Sequence, residues 1–189
     1  TTGHGEHAVN DDGQNGLKTA SAAITQQNYV AKDLFLAGQD SVPSDASVVV
    51  VAGPQTEFFE QELNMLAEYI GSGGSVLFLV DPQTTTGLPT FLREYYFNVG
   101  ENIVVDASGI GQLFGAGPTV PLVNSYGDHD ITSDFGLMTF YPLSRSVQVD
   151  VPDDATGYTG TELALTSRNS WGETDLERIS RASEANPDP

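Results

Sequence analysis

The sequence of 189 residues contains no cysteine. This absence excludes disulfide bridges, thiolate nucleophiles and zinc–thiolate centres, but it does not identify a compartment, because exported and cytosolic proteins can both lack cysteine. Basic residues are scarce: 7 Lys and Arg stand against 26 Asp and Glu, which gives a net charge of −19. A field of this sign repels phosphate backbones, so we expect no nucleic acid among the partners.

Long apolar runs are also missing. The longest, residues 47–52 and 75–80, fall far short of the roughly 20 residues that cross a bilayer. The opening Thr1-Thr2-Gly3 is not a basic-then-apolar leader. We therefore expect a soluble domain, and a larger parent protein could still carry membrane segments outside this sequence. The excess of carboxylates indicates a solvated, aggregation-resistant surface, and adaptation to high salt is the alternative hypothesis.

The strongest pattern that is present lies between residues 47 and 80. Residues 47–52 form a continuous β-branched run, as expected of a strand buried on both faces, and residues 75–80 form a second such strand. Between them Thr56 is expected to cap a helix that ends at residues 71–74. The apolar residues on one face of that helix are Phe59, Leu63, Leu66 and Ile70. Strand, helix and strand predict a βαβ unit with parallel strands.

Weaker patterns extend this alternation in both directions. Upstream, a helix over residues 16–28 is predicted before a strand over residues 29–36. Downstream, a short helix over residues 88–96 is predicted before a strand over residues 102–106. The alternation predicts an α/β fold: a doubly wound, three-layer α/β/α sandwich of flavodoxin- or Rossmann-like type, with a mostly parallel sheet.

The last part of the chain has a different character. From about residue 109 glycine and proline become dense, and the strand candidates are residues 119–123, 144–151 and 162–167. We expect a β-rich C-terminal extension, as a lobe or as edge hairpins, within one domain over residues 1–176, and a flexible tail over residues 177–189. The first residues are typical of a loop after a strand, so the sequence is expected to begin at or just inside the first strand.

Three loops form the candidate binding site, because ligands of open α/β sheets bind where the carboxyl ends of parallel strands meet. A fourth loop, after residue 126, could join them if the fold brings it close. The candidate ligand-binding residues are His4, Gly5, Glu6, Gly53, Pro54, Gln55, Asp81 and His129. Ordinary turns built from suitable turn residues are the alternative interpretation of the same loops.

No catalytic motif accompanies these loops. The sequence has no Gly-x-Ser-x-Gly elbow after a strand, no Gly-x-Gly-x-x-Gly opening a helix and no P-loop. His4, Glu6 and His7 are close in sequence, but no fourth ligand is specified, so no metal site is predicted. We predict no catalytic residue and no cofactor, and we expect a protein that is not an enzyme. A carboxylate- or metal-dependent hydrolase stays open as an alternative.

Several segments, taken together, resemble a known family. They are TGHGE (residues 2–6), VVAGP (50–54), GGSVLFLVDP (73–82), YGDHDIT (126–132), TFYPLSRSV (139–147) and SRNSWGETDL (167–176). In this order and spacing the chain resembles the GldG-like auxiliary component of ABC-type transport systems, a group first associated with gliding motility. The resemblance covers most of residues 1–176, and it departs from the family pattern at His7 and Asp130.

The resemblance implies a domain on the extracytoplasmic (periplasmic) face of the cytoplasmic membrane, held there by flanking helices beside ABC permease and ATPase subunits. It also implies a fold like that of class I glutamine amidotransferases, whose cysteine nucleophile this chain lacks. The expected function is that of a non-enzymatic domain that binds a partner or a ligand in a membrane transport complex. A module that binds a small molecule, such as a saccharide or a peptide, is the alternative.

Overall fold

The computed structural model describes residues 1–115, 117–175 and 177. The chain divides into two compact units, which we call unit 1 (Thr1–Leu88) and unit 2 (Pro89–Pro189). The helices are α1 (Lys18–Gln26), α2 (Glu60–Gly71) and α3 (Leu88–Arg93), with 3-10 turns at Leu36–Gly38 and Gly111–Phe114. None of the described helices is long and apolar enough to cross a bilayer. The single domain over residues 1–176 stays a prediction, and the tail expected after residue 177 lies outside the described residues.

The strands are short and most of them lie in unit 2. They are β1 (Val48–Ala52), β2 (Ser75–Leu79), β3 (Phe97–Val99), β4 (Ile103–Asp106), β5 (Leu122–Val123), β6 (Ser125–Tyr126), β7 (Thr139–Phe140), β8 (Val147–Val149), β9 (Ala164–Leu165) and β10 (Ser170–Glu173). Each strand pairs with one other strand, so the described sheets are two-stranded.

The predicted strand–helix–strand unit is present in unit 1. β1 and β2 pair in parallel, with Val48 opposite Ser75 and Ala52 opposite Leu79. The helix between them is α2, whose Met65 and Leu66 are buried with Val51 of β1 in the core of the unit. This segment confirms the prediction of parallel neighbours, because a β-branched run and an amphipathic helix are both specified locally.

The ends of α2 agree only partly with the predicted ends. The N-cap is Phe59, three residues after the predicted Thr56. The carboxylate of Glu62 accepts a hydrogen bond from the backbone N–H of the N-cap residue Phe59, whose own side chain makes no capping hydrogen bond. At the other end Gly73 has φ +92 and its N–H bonds to the carbonyl of Ile70, so the glycine-rich stop was predicted correctly.

The predicted three-layer α/β/α sandwich with a mostly parallel sheet is wrong. A central sheet of that kind is covered by helices on both faces, whereas Leu77 and Leu79 of β2 are 49% and 46% exposed and α1 has no buried residue. The strand predicted over residues 29–36 reduces to an isolated parallel bridge between Thr2 and Phe35. Among the described residues, parallel pairing is therefore limited to β1–β2 and this bridge.

Unit 2 is built from antiparallel pairs. β3 pairs with β8, β4 with β10, β5 with β7, and β6 with β9. The predicted strand over residues 102–106 exists as β4, and all four of its residues are buried, but its neighbour runs antiparallel. The β-rich character expected from about residue 109 is present, and it begins earlier, at Phe97. Strand direction here follows from long-range pairing and not from the buried run itself.

Candidate functional site

Unit 1 brings the first loop of the chain against the loop that follows β1. The carbonyl of His4 accepts hydrogen bonds from the backbone N–H groups of Gln55 (2.7 Å) and Thr56 (3.1 Å). The N–H of His7 donates to the carbonyl of Ala52 at 2.9 Å. The predicted proximity of these two loops is therefore present in the structure, and it is set by backbone hydrogen bonds.

His4 is buried and does not face solvent. Its Nε2 lies 2.8 Å from Oε2 of Glu62, and the two residues are 4% and 1% exposed. The imidazole stacks on the ring of Phe58 with centroids 4.2 Å apart. His4 is thus an anchor between the first loop and α2, and as the structure stands it is not accessible to a ligand.

Glu62 supplies the other half of this anchor and is not among the candidate residues predicted from the sequence. Its Oε2 also accepts from the Phe59 N–H at 2.9 Å. Its Oε1 is buried without a hydrogen-bond partner among the described residues. Glu62 lies three residues after the observed N-cap Phe59, where a capping box has its acidic residue, but the predicted cap at Thr56 did not indicate this position. Nothing in the local pattern indicated a histidine 58 residues away.

Glu6 stabilises the first loop in its ionised form. Its Oε1 accepts from the Thr1 hydroxyl and its Oε2 from the His4 backbone N–H, both at 2.7 Å. Partial burial raises the pKa of Glu6, but the hydrogen bonds from Thr1 and from the backbone outweigh it, so the pKa lies below its usual value. A carboxyl held ionised in this way is unsuited to act as a general acid near neutral pH.

The accessible part of the site lies over Gly53. This residue has φ +64 and donates its N–H to the Leu79 carbonyl at 2.8 Å, at the carboxyl ends of β1 and β2. A Cβ at this position would lie 2.5 Å from Nε2 of His7 and 3.1 Å from Oδ2 of Asp81. Glycine is therefore required here both by the backbone angle and by the approach of these two side chains.

Three partly exposed polar side chains surround Gly53. His7 Nε2 and Asp81 Oδ2 are 4.0 Å apart, and Gln55 donates from Nε2 to the Gly53 carbonyl at 2.8 Å. The candidate set from sequence contains Gln55 and Asp81 but omits His7. The sequence feature that could have indicated His7 as a site residue is its position directly after the Gly-His-Gly-Glu stretch of the first loop. We call His7, Gln55 and Asp81 the strand-end cluster.

His129 belongs to unit 2. It is exposed, and its Nδ1 accepts from the Ile131 N–H at 3.1 Å, so its hydrogen bond stays within its own turn. Gly5 has φ +81 and Pro54 is buried, and both shape the two loops of unit 1 without adding a polar side chain. The other candidate residues lie in unit 1, in the loops described above.

The strand-end cluster offers hydrogen-bond donors and acceptors. In the part of the chain that the structure describes, no three His, Asp or Glu side chains are grouped so that they could hold a metal ion. His7 can donate or accept, Asp81 accepts, and Gln55 can do both. Such a set suits a polar ligand or a polar edge of a partner.

Comparisons with known proteins give a family and a fold. A family model described as "ABC-type uncharacterized transport system" matches residues 1–189. A search of curated proteins found no match. Among the solved structures that match is one described as "mmIFT52 N-terminal domain", with 22% identity and a TM-score of 0.57, covering 70% of this chain. The match spans 65% of that structure, which is less than two thirds of its length.

The structural match concerns the fold alone, because the identity is low. The expected class I glutamine amidotransferase-like fold is not supported. The described sheets are short and mostly antiparallel, and the structural match reported above is to the mmIFT52 N-terminal domain. The family match covers the whole chain, whereas the sequence resemblance had reached only most of residues 1–176.

Proposed function

The chain belongs to the family described as "ABC-type uncharacterized transport system", and from this membership we propose that it is a non-enzymatic binding domain of the auxiliary protein of such a system. In this proposal the domain lies on the extracytoplasmic face of the cytoplasmic membrane and works beside the ABC permease and ATPase subunits. Assignment to the GldG-like group, first associated with gliding motility, is part of the same proposal.

The observation that carries the proposal is the strand-end cluster. Three loops that are separate in sequence meet at the carboxyl ends of β1 and β2, and they leave polar side chains partly exposed over Gly53. Glu6 and His4 of the first loop are occupied by hydrogen bonds that hold the loops. The arrangement favours binding over catalysis, because the accessible groups are donors and acceptors without an activated nucleophile.

A small polar ligand is a second candidate occupant, favoured by the mixed donors and acceptors of the cluster. We expect a saccharide or peptide that binds there to raise the thermal unfolding midpoint of the full chain. A hundredfold excess over Kd stabilises the native state by about 2.7 kcal/mol, which corresponds to a shift of several degrees. The measurement is a thermal-shift series over a saccharide and peptide panel.

The control for that series is a set of single substitutions. His7→Gln and Asp81→Asn should each reduce the shift, whereas His129→Gln, in unit 2, should leave it unchanged. A ligand whose shift survives both cluster substitutions binds elsewhere and contradicts the assignment. If the chain converts a compound of the panel into a chemically altered product, and Asp81→Asn abolishes this conversion, the domain is an enzyme. That result would overturn the proposal that the domain is non-enzymatic.

The extracytoplasmic location has a direct test because the chain lacks cysteine. Ser41 is exposed, so a Ser41→Cys substitution in the full-length parent protein introduces an accessible thiol. A membrane-impermeant maleimide is expected to label this variant in intact cells as fully as after lysis. The unsubstituted parent protein gives the background. Labelling that appears only after lysis would place the domain inside the cell.

A further inference from the structure

Unit 2 carries a surface that the strand-end cluster does not involve. Residues 107–127 and 135–144 contain no charged side chain, although charged residues make up 17% of the chain. Large apolar side chains within these two stretches are exposed, among them Leu113 at 82% and Leu137 at 70%. Exposed apolar patches of this kind on a soluble chain indicate a contact surface.

Strand β7 brings the two uncharged stretches together. Phe140 of β7 pairs with Leu122 of β5. Its ring meets the ring of Phe114 edge to face, with centroids 5.8 Å apart. Met138 is exposed immediately before β7. We call these exposed side chains the apolar strip: Leu113, Phe114, Leu137, Met138 and Phe140.

Tyr126 holds one end of the apolar strip in place. Its hydroxyl donates to the Leu137 carbonyl at 2.8 Å and lies 2.7 Å from Oγ1 of Thr139. Its ring packs edge to face against Phe135, with centroids 5.1 Å apart. The strip is therefore presented by a backbone with fixed hydrogen bonds, which lowers the entropy cost of binding to it.

The same tyrosine connects the strip to a turn that carries all the acidic residues of this region. Between the two uncharged stretches lie Asp128, Asp130 and Asp134, all exposed, which we call the acidic turn. The turn is closed by a hydrogen bond of 2.6 Å from the Thr132 hydroxyl to the Gly127 carbonyl. An uncharged apolar surface thus adjoins a concentrated negative charge.

From this arrangement we propose that the apolar strip docks a segment of a partner protein whose apolar face is flanked by Lys or Arg. Aromatic residues and methionine without charge are typical of the centre of protein interfaces. The acidic turn complements basic residues at the edge of such a segment. The net charge of −19 repels a second copy of this chain and an anionic lipid surface, so neither is the expected occupant of the apolar strip. The inference is independent of the proposed function of the strand-end cluster.

Two synthetic helical peptides of about 18 residues, or five turns, test the proposal. One consists of Leu and Lys and the other of Leu and Glu, and each is titrated into the full chain by calorimetry. We expect the Leu/Lys peptide to bind and the Leu/Glu peptide not to bind. Leu137→Ser with Met138→Ser should weaken binding about tenfold, since truncated anchors at an interface centre have effects of this size. Both side chains are exposed, so these substitutions should leave the fold intact.

Matched variants separate docking from general attraction between opposite charges. Val30→Ser removes an exposed apolar side chain from unit 1 and should leave binding unchanged. Asp128, Asp130 and Asp134 changed together to Asn should weaken binding several-fold more than the same change at Asp150, Asp153 and Asp154. Equal losses in the two triple variants would overturn the proposal. The proposal would also be overturned if the chain self-associates, or binds neutral vesicles, and the Leu137/Met138 variant does not. Either result would show that the apolar strip contacts a second copy or a lipid surface.

Discussion

Replacement of Glu62 by alanine is expected to lower the free energy of unfolding by about 3 to 5 kcal/mol, the cost of breaking a buried charged or hydrogen-bonded pair. The Glu62 side chain is 1% exposed, its Oε2 lies 2.8 Å from Nε2 of His4, and the same oxygen accepts from the backbone N–H of Phe59. Removing it leaves the buried His4 ring nitrogen and the partly buried N–H of Phe59 without this partner, and it removes the hydrogen bond at the start of α2. Urea unfolding followed by far-ultraviolet circular dichroism measures the loss.

Two further substitutions give that measurement its controls. Glu60→Ala removes an exposed carboxylate from the same first turn of α2 and should cost less than about 1 kcal/mol, since it disturbs only the helix dipole. Glu62→Gln retains an acceptor for the Phe59 N–H and should fall between the two alanine variants. Equal stability of the Glu62→Ala and Glu60→Ala proteins would show that the His4–Glu62 pair does not stabilise unit 1.

Arg145 is expected to have the largest comparable effect in unit 2, with Arg145→Ala lowering stability by about 2 to 3 kcal/mol. It is buried, and its Nε donates to the Gly100 carbonyl at 2.7 Å. Its guanidinium also bonds to Glu101 at 2.6 Å. The substitution removes buried packing and leaves the carbonyl at the end of β3 without this donor.

The contribution of the Glu101 ion pair is expected to be small. Its carboxylate is largely exposed, so Glu101→Ala should cost less than about 1 kcal/mol. Arg168→Ala, at an exposed arginine, serves as the matched control for loss of a positive charge. If Arg145→Ala is no more destabilising than Arg168→Ala in urea unfolding, the hydrogen bond from Arg145 to the Gly100 carbonyl does not stabilise unit 2.

Part of the candidate site could be predicted because it depends on neighbouring residues along the chain. Gly53 follows a β-branched strand, and a turn at the end of such a strand is specified locally. Its meeting with the first loop was predicted from the rule that carboxyl ends of parallel strands lie at one edge. The contact is present, but the start of the chain forms only the bridge between Thr2 and Phe35, and backbone hydrogen bonds between the loops make the contact. The burial of His4 did not follow, because it depends on Glu62 in α2 and on stacking against Phe58.

The fold class shows the same division. β4 was predicted as a strand over residues 102–106, but its burial was not predicted. A continuous apolar run does not by itself establish burial on both faces, since Leu77 and Leu79 of β2 are about half exposed. The run contains no information on the direction of its neighbour, and β10, 64 to 70 residues later, supplies an antiparallel one. Residues 29–36 have strand composition but form only the bridge at Phe35, since a strand exists only where a neighbour pairs with it.

The sequence by itself determined the elements whose causes are local: the β1–α2–β2 succession, the glycine stop of α2, the absence of thiol chemistry and the acidic surface. Only the tertiary structure decided how the strands of unit 2 pair and in which direction, and which polar side chains are buried or exposed. The physical reason is the separation along the chain over which each kind of interaction acts. Backbone propensity and helical periodicity act over a few residues, whereas the His4–Glu62 pair, the β4–β10 ladder and the Phe114–Phe140 contact join residues far apart in the chain.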